Sequence, residues 1–142
     1  MSVVLEGGCL CGGVRYRYVG EVGGALGAVT QCHCGQCRKA QGGPGTVAPV
    51  AAAGFSVIRG QGLIRGFESS QGKERAFCGV CASPLYSRRA ADPGVMRLRL
   101  GSLDDPPPSL RIGAHIFTEG APAWDAAGDD APRYPGLEPG RS

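Results

Sequence analysis

The sequence predicts a small, mainly β domain with very little helix, and three observations support this. Glycine occupies 25 of the 142 positions, with 11 prolines beside it. That composition favours short strands joined by tight turns. Two stretches, "GVRYRYV" (Gly13 to Val19) and "VMRLRLG" (Val95 to Gly101), alternate apolar and charged residues with the period of a half-buried strand. The 3.6-residue apolar period of an amphipathic helix is nearly absent.

The first strand, Gly13 to Val19, places Val14, Tyr16 and Tyr18 on one face and Arg15 and Arg17 on the other. The Gly/Ala-rich segment Gly20 to Val29 carries no substrate signature. Gly35 to Gln41 is read as one or two helical turns. Short strands are expected at Thr46 to Val50, Phe55 to Ile58, Leu63 to Phe67, Arg75 to Phe77 and Leu85 to Ser87, punctuated by glycines. Val95 to Gly101 puts Met96, Leu98 and Leu100 inward and Arg97 and Arg99 on the solvent face; Ile112 to Phe117 closes the series. Arg59, Arg65 and Arg75 are expected at exposed strand positions. From Asp125 onward, "DAAGDDAPRYPGLEPGRS" reads as an extended, partly disordered tail rich in Pro, Gly and Asp. The organisation is one domain over residues 1–124 and a tail over 125–142.

Bulk properties exclude several classes. No run approaches the roughly 20 apolar residues of a membrane helix. The stretch "MSVVLEGGCL" lacks a basic region followed by an apolar core, so no secretory signal is read there, and a cytoplasmic, reduced protein is expected. The formal charge of +3 counts cysteines as neutral. Seven metal-bound thiolates with two zinc ions would bring it to about zero, and the basic residues are dispersed, so no nucleic-acid partner is expected.

Chemistry is concentrated in the seven cysteines, each within three residues of another. Cys9 and Cys11 form C-x-C, Cys32, Cys34 and Cys37 form C-x-C-x-x-C, and Cys78 and Cys81 form C-x-x-C. A disulfide framework fits poorly with an odd count and such close spacing. A thioredoxin-like pair needs a strand–helix context that is missing, and iron–sulfur ligation takes other spacings. Zinc fits best, because short C-x-C and C-x-x-C pairs each supply two ligands of a tetrahedral shell, with knuckle amides aimed at the sulfurs. Seven divides as four plus three: a closed structural site and an open one whose free position takes water, a thiolate or a carbonyl. Spacing alone leaves the pairing open, since Cys9 and Cys11 could equally join two members of the central cluster.

The motifs "GGCLCGGVRY", "CHCGQCRKAQG", "RAFCGVCASPLY" and "GAHIFTEGAPAW…PRYPG", spanning Glu6 to Pro139, resemble the glutathione-dependent formaldehyde-activating enzyme family, also named for its centromere-protein-V-like members. The resemblance implies an Mss4-like arrangement of folded sheets and a lyase-type carbon–sulfur chemistry. The activity implied is condensation of glutathione with formaldehyde to S-hydroxymethylglutathione. It also implies a structural zinc on Cys9, Cys11, Cys78 and Cys81 and a catalytic zinc on Cys32, Cys34 and Cys37. The open position could hold a substrate thiolate for attack on a carbonyl, or polarise that carbonyl. A homodimer is compatible with the chain. One departure is Ala82, where relatives usually have Gly, which suggests a slightly different turn. No clamp for the two carboxylates of glutathione is apparent between Cys37 and Cys78.

Among other residues, His115 lies where the family places the site and is a candidate general acid–base. The blander reading is a strand histidine satisfied by a backbone carbonyl. Arg38 and Lys39 follow the last triad cysteine and could hold a substrate carboxylate; solvated surface is the alternative. His33, between two ligands, is expected to turn away from the metal, with a place at or just behind the metal shell as the alternative. Gln36 is expected to serve the turn, with donation to a substrate oxygen as its alternative. Trp124 covers core or lines the pocket, and Phe77 packs beside the closed site. Two other functions compete with catalysis: a protein-binding zinc module with a closed or empty triad and an exposed apolar patch, and a redox sensor whose triad forms a disulfide under oxidant.

Overall fold

The computed structural model describes residues 2–126 and 128–141. Strands β1 (Val3–Gly8), β2 (Arg15–Gly20), β3 (Thr30–Cys32) and β4 (Gly45–Ala51) are followed by β5 (Phe55–Arg59), β6 (Ile64–Ser70) and β7 (Lys73–Cys78). The series ends with β8 (Pro84–Arg89), β9 (Asp92–Arg99) and β10 (Ala114–Ile116). Helix α1 occupies Gly35–Gln41, the span read from the sequence. The fold is mainly β, as expected. β1 and β3 were not anticipated: β3 has only three residues, and β1 buries only Leu5 and Gly7.

β1, β2 and β5 form a small antiparallel sheet in the order β1-β2-β5. The others form a seven-stranded sheet in the order β10-β3-β4-β9-β8-β7-β6, antiparallel except for the parallel β10–β3 pair. The core lies where the two sheets meet. Leu5, Tyr16 and Tyr18 from the small sheet pack with Val50, Leu85, Met96 and Leu98 from the large one. Tyr16, Phe55 and Tyr86 form an aromatic row between the sheets, with centroids 5.0 and 5.5 Å apart. Both buried hydroxyls are satisfied: Tyr16 Oη sits 2.6 Å from Ser102 Oγ, and Tyr18 Oη donates to the Glu21 carbonyl and accepts from the Ala51 amide. Burial pushes Tyr16 up to about 12.

The alternation in β9 has a different meaning from the one expected. Met96 and Leu98 do face the core, but Arg97 is half-buried and Arg99 is only 4% exposed. β9 is the central strand of seven and is enclosed on both faces, so its charged face lines a cavity and does not meet open solvent.

The segment read as a tail runs along the outer edge of β10. The His115 amide donates to the Pro132 carbonyl, the Tyr134 amide to the His115 carbonyl and the Phe117 amide to the Gly136 carbonyl, at 2.8–3.0 Å. These bonds cover an edge that would otherwise be unpaired. Among the described residues, no helix is long and apolar enough to cross a membrane.

Candidate metal centres and active-site cavity

Two hairpin turns from different sheets bring four thiols together. The β1–β2 turn carries Cys9 and Cys11, and the β7–β8 turn carries Cys78 and Cys81. Their sulfurs all lie within 4.8 Å of one another. Cys9 Sγ is 3.5 Å from Cys11 Sγ, which is 3.9 Å from Cys78 Sγ. A tetrahedral zinc with bonds of roughly 2.3 Å sets its sulfurs roughly 3.8 Å apart, so the donor set fits. The knuckle amides aim as expected: Val14 N is 3.2 Å from Cys9 Sγ and Val80 N is 3.4 Å from Cys78 Sγ. The Ser83 hydroxyl, with nearby amides, lowers the Cys81 thiol to about 5.

Ala82 closes the second knuckle with φ +64°, and its amide donates to the Cys78 carbonyl. The turn is therefore the left-handed one that glycine accepts freely, adopted at a cost by alanine, and not a different turn. Ala82→Gly is expected to stabilise the fold by about 1 kcal/mol, raising Tm by about 2–4 °C. Thermal denaturation of the two chains tests this, and a lower midpoint for the glycine variant would contradict it.

The second cluster is more local. Cys32 ends β3, Cys34 caps α1 with its sulfur accepting from the Cys37 amide, and Cys37 lies in the first helical turn. The three sulfurs lie within 4.8 Å of one another, with Cys32 and Cys37 buried. A Cβ on Gly45 of β4 would come within 3.2 Å of Cys37 Sγ, so glycine lets the helix approach. Cys37 is lowered to about 4, chiefly because Cys32 donates to it, with help from Arg75, whose Nη2 is 3.7 Å away. The same sharing pushes Cys32 up. The arrangement thus favours the thiolate form of Cys37.

The triad opens onto a cavity of about 460 Å³ whose walls are strongly basic, with Lys73, Arg89, Arg97, Arg99 and Arg141 lining it. Burial lowers Lys73 to about 8 and Arg97 and Arg99 to about 10. Gln36, at the start of α1, also lines this cavity.

His33 and His115 lie elsewhere. Both are buried, and they form a chain with two acids of the C-terminal segment. His33 Nδ1 contacts Asp125 Oδ2 at 2.5 Å, His33 Nε2 contacts His115 Nδ1 at 2.8 Å, and His115 Nε2 faces the Asp129 carboxylate at 2.9 Å. The outer nitrogens face carboxylate oxygens, which can only accept from them when ionised. The hydrogen bond from His115 holds the Asp129 carboxyl below its usual range. His33 turns away from the triad, as expected. His115 does not line the triad cavity. It holds the loop between Cys32 and Cys34 from behind, through His33.

Arg38 lies against a separate cavity of about 260 Å³ with His33, Trp124 and Asp125, away from the triad cavity. Lys39 is exposed, and Trp124 is 79% exposed. Sequence reasoning missed the cationic lining of the triad cavity. The only signal was the alternation in β9, and strand pairings are needed to interpret it.

The chain matches the family described as glutathione-dependent formaldehyde-activating enzyme over residues 4–120. It is 31% identical over 130 residues to a Halomonas elongata protein provisionally named a glutathione-dependent formaldehyde-activating enzyme, covering 86% of this chain and 80% of that protein. A crystal structure of a Rhodobacter sphaeroides protein shares the fold, with TM-score 0.62 and 18% identity, covering 92% of this chain and all of that one. With the match spanning both cysteine clusters, the chain belongs to the glutathione-dependent formaldehyde-activating enzyme family.

Proposed function

We propose that this chain is a zinc-dependent enzyme of the carbon–sulfur lyase type that joins the thiol of glutathione to formaldehyde, and splits the adduct in reverse. The carrying observation is the triad: three thiol sulfurs within 4.8 Å of one another, opening on a cavity of about 460 Å³. Cavities of roughly 300–1,000 Å³ suit ligands the size of a tripeptide. In the forward direction a sulfur–carbon bond forms, the carbonyl π bond breaks, and the thiol proton ends on the new hydroxyl. No electron donor or acceptor is required.

Cys32, Cys34 and Cys37 hold the catalytic zinc, while Cys9, Cys11, Cys78 and Cys81 hold a structural one. Bound at the triad, zinc supplies a coordination position that keeps a thiol ionised or polarises a carbonyl. Arg75, against Cys37, offsets the negative charge of the thiolates. His115 acts as a positioning residue, fixing the Cys32–Cys34 loop through His33. Seven unpaired thiols belong in a reducing compartment, which favours the cytoplasm.

A second reading, a protein-docking module, rests on Leu10 and Val80, the exposed apolar residues at the two knuckles of the closed cluster. One experiment separates the two. The purified protein is expected to hold about two zinc per chain, and added glutathione to bring a fourth sulfur to the triad zinc in the zinc-edge absorption spectrum. An unchanged spectrum across a panel of thiols, with two zinc bound, would remove the thiol reading and favour docking.

A further inference from the structure

The wall of the triad cavity formed by β7, β8 and β9 carries a cluster of basic side chains that form no ion pair with a carboxylate among the described residues. Lys73 stands directly opposite Arg89 in the β7–β8 register, and Arg97 stands opposite Ser87, two residues before Arg89. All three basic side chains line the cavity. Like charges directly opposite one another destabilise a sheet, and partial burial raises that cost.

Among the described residues, none of the three pairs with a carboxylate. The ion pairs are Arg15 with Asp104, Arg141 with Glu138, and the two histidine–aspartate contacts. Asp92 is the acid set beside them, opposite Arg89 in the β8–β9 register, yet it forms no ion pair with any of the three and, like Glu138, acts on Arg97 only at a distance. The other cations of this cavity are already engaged: Arg141 by Glu138, and Arg99 by the Arg97 carbonyl and the field of the triad thiols. Burial, and then the charge of Arg75, lowers Lys73 to about 8, while the Cys37 thiolate acts in the opposite direction.

We propose that Lys73, Arg89 and Arg97 form an oxyanion subsite that takes a carboxylate of the thiol substrate, so that the cavity selects carboxylate-bearing thiols over neutral or cationic ones. Guanidinium groups grip a carboxylate through paired N–H donors, and Lys73 adds a point charge. This rests on the thiol–aldehyde reading above for the identity of the ligand, but not for the existence of the subsite. It also supplies the carboxylate contact that the sequence between Cys37 and Cys78 does not advertise, and it lies away from Arg38.

Titration calorimetry on the zinc-loaded protein tests the proposal with four ligands: glutathione, its dimethyl ester, glutarate and inorganic phosphate. Loss of charge-assisted hydrogen bonds predicts that the ester binds ~10-fold or more weakly than the free acid. In the double variant Lys73→Gln/Arg97→Gln, acid and ester should bind alike. The ester arm uses the unmodified chain, so the test survives if the variant folds poorly. If the ester binds the parent as tightly as the acid, or phosphate binds more tightly than glutarate, the carboxylate subsite is overturned. If neither thiol binds, but glutarate binds in a Lys73- and Arg97-dependent way, the subsite stands and the thiol reading fails.

Discussion

Cys78→Ala is expected to leave the chain without a cooperative fold. Cys78 is fully buried at the end of β7, with its sulfur 3.9 Å from that of Cys11. With zinc bound as proposed, the four-thiol cluster would tie the small sheet to the large one, because each sheet contributes one hairpin turn to it. A structural zinc of this kind supplies about 10–16 kcal/mol of apparent binding energy that is also folding energy. Whole domains are stable by only about 5–15 kcal/mol. Losing a ligand from the closed shell therefore removes an amount comparable to the total. The apolar core between the sheets, with the aromatic row of Tyr16, Phe55 and Tyr86, is the other tie, and its margin over chain entropy is too small to cover such a deficit. The expected readout is a near-ultraviolet circular dichroism spectrum without tertiary signal and a thermal scan without a sharp transition. Treating the parent with a strong chelator should reproduce both. A Cys78→Ala chain that melts cooperatively within a few degrees of the parent would show that the cluster does not hold the sheets together.

The sequence carried this part of the structure well, and for a physical reason. Metal ligands in knuckles are local: C-x-C and C-x-x-C each fix two donors by chain geometry alone, and Gly35 to Gln41 is bounded by a capping Cys34 and a left-handed Gly42. Strand alternation in β2 likewise reported a face buried by its neighbours, with Arg17 exposed as read. Apart from the local turn at Ala82, the misreadings concern partners distant in the chain; Arg75, read as exposed, is buried against Cys37. Arg97 and Arg99 look like solvent-facing residues until β9 is known to sit between β4 and β8. Lys73 and Arg89 become neighbours only through the β7–β8 register. The role of His115 depends on His33, 82 positions away, and on Asp129, which lies in a segment whose composition suggests no fixed structure. Pro and Gly gave that segment no periodicity, and the backbone bonds that place it, from Pro132 and Tyr134, go to His115 of β10.

The triad invites the opposite result from the closed cluster. Cys37→Ser is expected to fold and to lose the reaction. The substitution keeps nearly the same shape at a buried site, and the four-thiol cluster is untouched, so the thermal midpoint should fall by only a few degrees. The chemistry is far more sensitive. Cys37 is lowered to about 4, by Cys32 first and with help from Arg75. A serine hydroxyl ionises much less readily, so a zinc held at the triad would lose its third anionic donor, and Arg75 would lose the charge it faces at 3.7 Å. A fall in kcat/KM of about a thousandfold or more, some 4 kcal/mol of transition-state stabilisation, is expected. Exchange between glutathione and its hydroxymethyl adduct, followed by magnetisation transfer with the uncatalysed rate subtracted, measures it directly. Zinc content should fall toward one per chain in the same sample, because the weakened triad gives up its ion while the closed cluster keeps its own. A folded Cys37→Ser chain holding two zinc ions and exchanging at the parent's rate would detach the triad from the reaction and leave both clusters with purely structural work.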